Sequence, residues 1–412
     1  MGYTGQRPSA IPLTTADIID GTITNDDLAG SITSAKITSL DATKLTGTVA
    51  DARLPDPLPA ISGASLTNLP SEITKQSSDP TVSSPATPTL GDVIVNTTSG
   101  EMFTCTTVSS GANVWTNIGE GTGSVAPTYN IDYLVIAGGA GGGCQGGGGG
   151  SGGYRNSYNS ETSGGGNTGG ESAFAASAGT AYTVTVGAGG SGKTGTSAKG
   201  DNGLDSVFGL ITSIKGGGGG AKHATVGHID GVGNDGGSGG GGGYLDIASG
   251  TGHAGGSGTA NQGFAGGQGY GGYNYGSGGG GGASVAGSVG THSTGGAGGD
   301  GLASSITASS VTRCGGGGGG GDSTAGSGGS GGGGVGTTGV ADGGHGTTNT
   351  GSGGGNAQRT ANTSGNGGSG VVILRMLTAD YSGTTSGSPT VDSSTVVGTT
   401  ILTFNGDGSY TG

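Results

Sequence analysis

Glycine occupies 110 of the 412 positions and is gathered into dense runs rather than scattered. The runs are Gly138–Gly143, Gly146–Gly153, Gly216–Gly220, Gly236–Gly243, Gly276–Gly282, Gly315–Gly321 and Gly328–Gly334, with loops of mixed composition between them. Glycine loses more backbone freedom on folding than any other residue and has no side chain to bury. Apolar residues, alanine included, make up only 29% of the chain, so a large conventional core is excluded. Charged residues are only 9%, fewer than disordered chains usually carry. Order must therefore come from backbone hydrogen bonds and close packing of small residues.

Runs of this kind suit the left-handed, three-residue helix of polyproline II type, whose N–H and C=O groups point sideways. Without Cβ atoms such helices approach closely and bond one another. The expected fold class is mainly β plus polyglycine II helices in an elongated, fibre-like protein. Residues 129–377 are expected to form the glycine-rich polyglycine II domain. It opens on the apolar strand Tyr133–Ala137, closes on Val371–Leu377 and carries a third strand, Ala181–Val186. Hydrophobic strands at both borders ask for burial, which a linker would not provide.

Three other regions are expected. Residues 1–70 carry an imperfect repeat of the form apolar-x-Gly-Ser/Thr-β-branched, at Ile19–Ile23, Leu28–Ile32 and Leu45–Val49. Each unit is too poor in apolar groups to fold alone, so it reads as an anchor and trimerising segment in which copies share a seam. A flexible linker is the alternative. The Pro-rich stretch Leu54–Pro59 ends it as a stiff, extended spacer. Residues 71–128 read as a small β module: strand Asp92–Asn96, turn Thr97–Gly100, strand Glu101–Thr106 and a third strand at Val114–Ile118, with Trp115 as its core. Residues 378–412 read as a β tail, with strand Val396–Phe404, turn signals at Asn405–Gly408, and Ser409–Thr411 pairing back.

The net charge of −13 argues against a general nucleic-acid or anionic-membrane binder. No stretch approaches the ~20 apolar residues of a membrane span, so no membrane insertion is expected. The N-terminal residues show no secretory signal. Cys105, Cys144 and Cys314 form no CxxC pair and signal neither a disulfide framework nor a zinc site. A single Cys144–Cys314 bridge stays open.

Gly187-Ala188-Gly189-Gly190-Ser191-Gly192-Lys193-Thr194 matches the phosphate-binding pattern G-x-x-x-x-G-K-[ST] and follows a strand. A true phosphate loop opens an α-helix. Here Gly195–Gly203 follows, which is not helical, and no βαβ pattern exists. In so glycine-rich a chain only Lys193-Thr194 has to coincide, and the match reads as fortuitous; no cofactor is expected. The five histidines, His223, His228, His253, His292 and His345, show no standard ligand spacing, so no metal is expected either. No nucleophile–base pair or catalytic carboxylate pair stands out, and no enzyme is expected.

The candidate binding residues are aromatic: Tyr154, Tyr158, Tyr244, Phe264, Tyr270, Tyr273 and Tyr275. Tyrosine offers a rigid apolar face and a hydroxyl at low entropic cost. The competing reading is that these rings cap the glycine runs and shield them from water.

Ile131–Gly143, Tyr182–Gly190 and Gly367–Arg375 resemble the opening, internal and closing signatures of glycine-rich domains in phage tail-fibre proteins, particularly of marine phages. Ile23–Ile32, Asp51–Pro55 and Gly91–Glu101 resemble other phage fibre segments. The resemblance implies a polyglycine II sandwich whose distal loops bind a bacterial cell-surface receptor, a polysaccharide or an outer-membrane protein. It also implies an N-terminal part that attaches to a virion tail, baseplate or capsid protein, usually as a homotrimer. The expected function is a fibre-tip adhesin in the extracellular particle. The alternative is a non-adhesive virion component: a head fibre, spacer or decoration protein.

Overall fold

The computed structural model describes residues 73–119, apart from 84, 86 and 110–112, and residues 128–412, apart from 167, 168, 196, 248, 249 and 274. The repeats expected within 1–70 and the Leu54–Pro59 spacer lie outside the described residues. Contacts divide the chain into two compact units, parting between Thr122 and Gly123.

The first unit holds one four-stranded sheet, in the order β1 (Thr74–Gln76), β2 (Val93–Asn96), β3 (Met102–Thr107), β4 (Val114–Gly119). The hairpin expected across Thr97–Gly100 forms, with Val93, Ile94 and Val95 opposite Thr104, Phe103 and Met102. Trp115 is not its core. Ile94 and Cys105 are the fully buried apolar side chains among the described residues of this unit, and Trp115 is only half-buried on the edge strand.

In the second unit the two border strands find each other. β5 (Thr128–Ile136) pairs antiparallel with β15 (Val371–Leu377), Val372 opposite Val135 and Leu374 opposite Tyr133. On the other edge of β15 lies β18 (Thr399–Phe404), followed by β17 (Thr390–Asp392); beyond β5 come β6 (Tyr154–Asn156) and β7 (Phe174–Ser177). The sheet is covered on both faces, which suits its nearly unbroken apolar strands. Tyr133, Val135, Val372, Leu374, Leu402 and Phe404 face a second, five-stranded sheet and pack on its Val184, Phe208 and Tyr410. That sheet runs β10 (Ile211–Ser213), β9 (Ser206–Phe208), β8 (Ala181–Thr185), β19 (Gly408–Thr411), β16 (Thr385–Ser386). Leu134, Ile136, Val371 and Ile373 face the other way, onto Tyr154, Ala283, Ile306 and Cys314. The tail is thus built into both sheets, and β19 pairs with β8 and β16 instead of folding back on β18. Two short antiparallel pairs complete the strands: β11 (Gly250–Thr251) with β12 (Tyr270–Gly271), and β13 (Leu302–Ser304) with β14 (Val311–Arg313).

The expected fold class is corrected here. The regular structure is β-sheet, in several sheets and without a barrel, and no polyglycine II helix is shown among the described residues. The helical segments described are two single turns of 3-10 type, Tyr158–Ser160 and Thr378–Asp380. The glycine runs are assigned neither helix nor strand. The reason lies in where their amides go. Within residues 147–153, Gly147, Gly150 and Gly153 donate to the carbonyls of Gly220, Gly217 and Ile214, at 2.8, 2.9 and 2.7 Å. Gly148 and Ser151 donate instead to Gly278 and Gly281, and Gly149 and Gly152 to Gly354 and Gly351. Successive residues thus bond three different neighbours, so no two runs share the continuous ladder of a sheet and no run bonds within itself as an α-helix does. The expectation that backbone bonds between runs order the region stands; the helical assignment does not.

Candidate functional site

The glycine runs shuttle between the sheets and a set of outer turns. Residues 137–143 leave β5, and residues 146–153 return to β6, bonded antiparallel through Ala137 to Gly153, Ala140 to Gly150 and Gly143 to Gly147. Cys144–Gln145 is therefore the turn farthest from the sheet on this pass. Other turns gather beside it. Lys222 donates its amide to the Cys144 carbonyl at 3.2 Å, His223 to Tyr244 at 3.4 Å, and Leu245 to Tyr270 at 2.9 Å. The ring of Tyr270 stands edge-on to His292, with centroids 5.8 Å apart. Gln145 Nε2 donates to the Gln358 carbonyl at 3.0 Å.

This face brings together four of the seven candidate rings. Tyr244 is fully buried and meets Tyr275 edge to face at 4.7 Å between centroids. Lys222 Nζ lies 5.4 Å from the Tyr244 centroid and 5.7 Å from that of Tyr275. The same ammonium pairs with Asp246 Oδ2 at 2.8 Å. Burial first, and the Asp246 carboxylate second, push the Tyr244 phenol far above its ordinary range. Tyr244 and Tyr275 are thus committed to a clasp that ties three turns together. Tyr270 is half-buried, and Tyr273 is 64% exposed. Val226 and Ile229, also strongly exposed, lie in the turn that follows Lys222.

That turn also carries histidines that their spacing left unplaced. His223 and His228 stack with centroids 3.6 Å apart and planes within 3°. Each ring's Nδ1 accepts an amide of its own turn, from Thr225 at 3.1 Å and Asp230 at 3.3 Å. His253 stands edge-on to His223, and burial lowers its pKa. Among the described residues no group of three His, Cys, Asp or Glu side chains is placed to hold a metal ion.

The remaining three candidates sit at the sheet end. Tyr154 is fully buried in the core beside Ile136 and Cys314. Tyr158 lies under the Arg375 guanidinium, 4.6 Å from its ring centroid. Phe264 is half-buried in a small recess with Ala283 and Leu302. The seven residues therefore do not make one site. Nearby, Arg155 Nε donates to both Glu171 oxygens at 3.1 and 3.0 Å, while Tyr133 and Ser163 donate to the same carboxylate at 2.8 Å each.

The phosphate-loop match is occupied by the protein itself. The amide of Gly187 donates to Ser206 Oγ, Gly190 to the Gly139 carbonyl, Gly192 to Asn366 Oδ1 and Lys193 to the Gly142 carbonyl. Lys193 Nζ pairs with Asp201 at 2.6 Å. These amides diverge to separate acceptors and form no cradle. The Cys144–Cys314 bridge does not form either. Cys144 lies in an outer turn and Cys314 under the sheet, and all three thiols are free. Burial pushes the Cys144 thiol up to about 11.

Residues 116–377 match the family model described as a glycine-rich domain. The chain belongs to that glycine-rich domain family. No curated protein matches the chain, and no solved structure does. The family match spans the border strand β15 and the whole shuttle of glycine runs, together with the outer turns they carry. The glycine-rich domain is thus the frame on which Tyr273, Val226 and Ile229 are displayed. Tyr273 was legible in the sequence; Val226 and Ile229 were not, because a lone apolar residue in a loop carries no signal of exposure.

Proposed function

We propose that the chain is a non-catalytic virion fibre protein whose outer turns grip a bacterial cell-surface receptor. The observation that carries this reading is the contrast within one face. Tyr273, Val226 and Ile229 stand out to solvent, while the turns bearing them are pinned from behind by Gly–Gly backbone bonds and the Lys222–Tyr244–Tyr275 clasp. A rigid platform that exposes an aromatic and two aliphatic side chains loses little entropy on binding. In this reading the N-terminal region attaches to the tail, baseplate or capsid as a homotrimer. Weak contacts are then multiplied by the number of copies.

A non-adhesive head fibre, spacer or decoration protein is the second reading. It is favoured by the clasp itself, which turns Tyr244 and Tyr275 inward as packing residues. A double variant separates the two. Tyr273→Ala with Ile229→Ser should weaken binding of the intact protein to host cells by about tenfold or more, as loss of an anchoring aromatic does, with the melting temperature unchanged. Unaltered cell binding by this variant, or none by the parent, gives the lead to the spacer reading.

A further inference from the structure

The turn that carries Val226 and Ile229 is closed from inside by histidines. At its base the Ala221 amide donates to the Asp230 carbonyl at 2.7 Å, and the Gly231 amide to that of His228 at 2.9 Å. His223 Nδ1 accepts the Thr225 amide and His228 Nδ1 that of Asp230. In both neutral rings the proton therefore sits on Nε2. The rings lie face to face, 3.6 Å between centroids, and are only half-buried, within reach of protons from solvent. His253 packs against them, edge-on to His223 at 6.4 Å, and is buried with its Nδ1 unpartnered among the described residues. It lies so close to Gly231 that a Cβ there would meet its ring at 2.4 Å.

The charges around this group leave the imidazoles short of counterions. Asp230 Oδ2 lies 3.6 Å from His228 Nδ1, and the Asp230 carboxylate also faces Lys199, as does that of Asp235. Asp246 is engaged by Lys222 at 2.8 Å, and that ammonium, next in sequence to His223, is held over Tyr244 and Tyr275. Of the other groups facing Tyr244, Arg359 is a cation, and the Cys144 thiol, raised by burial to about 11, is neutral. One proton is accommodated: His228 changes from acceptor of the Asp230 amide to donor toward the Asp230 carboxylate. A second proton, on His223, meets no carboxylate among the described residues. It sets two cations face to face and turns an Nδ1–H against the Thr225 N–H. His253 is no alternative seat for it, because burial lowers its pKa and charge on either neighbouring ring lowers it further.

We propose that residues 222–231 form an acid-opened catch: the stacked neutral imidazoles of His223 and His228 hold the turn closed, and protonation of both releases it together with Val226 and Ile229. His253 is held below its ordinary value in the closed turn, so the open turn binds more protons. The closed turn is therefore fully stable above about pH 6.5 and becomes less stable as pH falls through that value. Histidine is the side chain that makes such a change between neutral and mildly acid solution. The catch acts on the turn whatever Val226 and Ile229 bind.

Amide hydrogen exchange of the full-length protein, corrected for the intrinsic pH dependence of exchange, reads the turn directly. Between about pH 7.5 and about pH 5, protection of the Thr225 and Asp230 amides should fall about tenfold or more. The amides of Gly150 and Gly217, which bond between glycine runs, should keep theirs. In the double variant His223→Asn, His228→Asn the fall should vanish, because asparagine offers an acceptor oxygen where Nδ1 stands and does not titrate. Constant protection in the parent overturns the proposal, and so does an equal fall in the variant. The parent's own rings give a second readout. The C2–H signals of His223 and His228 should titrate in two coupled steps, with the Thr225 and Asp230 amide signals following the later one. Two independent single-site curves overturn the proposal even if the variant does not close its turn.

Discussion

A Cβ added at Gly149 would lie 2.1 Å from the Ala140 carbonyl oxygen, and its three nearest atoms are all backbone rather than the end of a flexible side chain. At Gly406 the same addition meets nothing within 4 Å. Composition alone makes the two look alike; the distance to the next run separates them. Gly149→Ala should cost about 3 kcal/mol or more, the upper range for overpacking, whereas Gly406→Ala should change stability by less than about 1 kcal/mol. Thermal melts of the two variants check the contrast. Glu171 gives a pH-dependent counterpart. Burial raises its pKa, but hydrogen bonds from Arg155, Ser163 and Tyr133 more than compensate and leave it below the usual carboxylate range. Its contribution is then fully present above the unfolded value of about 4.3 and is lost as pH falls through the lower folded value. Glu171→Gln should be less stable than the parent at neutral pH, with a shallower loss of stability on acidification. Melting temperatures between pH 3 and 7 would show it.

Among the elements, the tail is structural. β18 lies beside β15 with Leu402 and Phe404 fully buried, and the Tyr410 hydroxyl of β19 is 2.6 Å from that of Tyr129. Truncation after Leu377 should therefore give an unfolded or aggregating glycine-rich unit, as seen by amide dispersion in an NMR spectrum. A truncated unit with a native-like spectrum would contradict that role. The border strands were legible because runs such as Tyr133–Ala137 and Val371–Leu377 must be buried. The partners of β19 were not, because Ser409–Thr411 follows turn residues and local pairing is the simpler expectation. The glycine runs announced that they need neighbours but could not say which. Selecting a neighbour takes side chains, and there the turns decide: Lys222, Asp246 and Tyr275 come from three different loops, so the burial of Tyr244 could not be read from its own surroundings.

For the molecule as a whole, the two units differ in what holds them. Among the described residues the first buries Ile94 and Cys105 against a four-stranded sheet, while the second has two packed sheets and the bonded runs behind them. A sheet with so small a core is of marginal stability. Scanning calorimetry should therefore show two transitions, with Trp115 fluorescence following the lower one. A single transition that moves Trp115 together with the glycine-rich unit would show the two to be energetically coupled.

The hydrogen bonds between glycine runs lie across the runs, and the runs lead from the sheets to the outer turns. A pull between those two ends therefore loads the bonds sideways and many at once. They would have to rupture together, where a hairpin pulled at its open end gives way one rung at a time. Any load applied between the outer turns and the sheets would act along that strong direction.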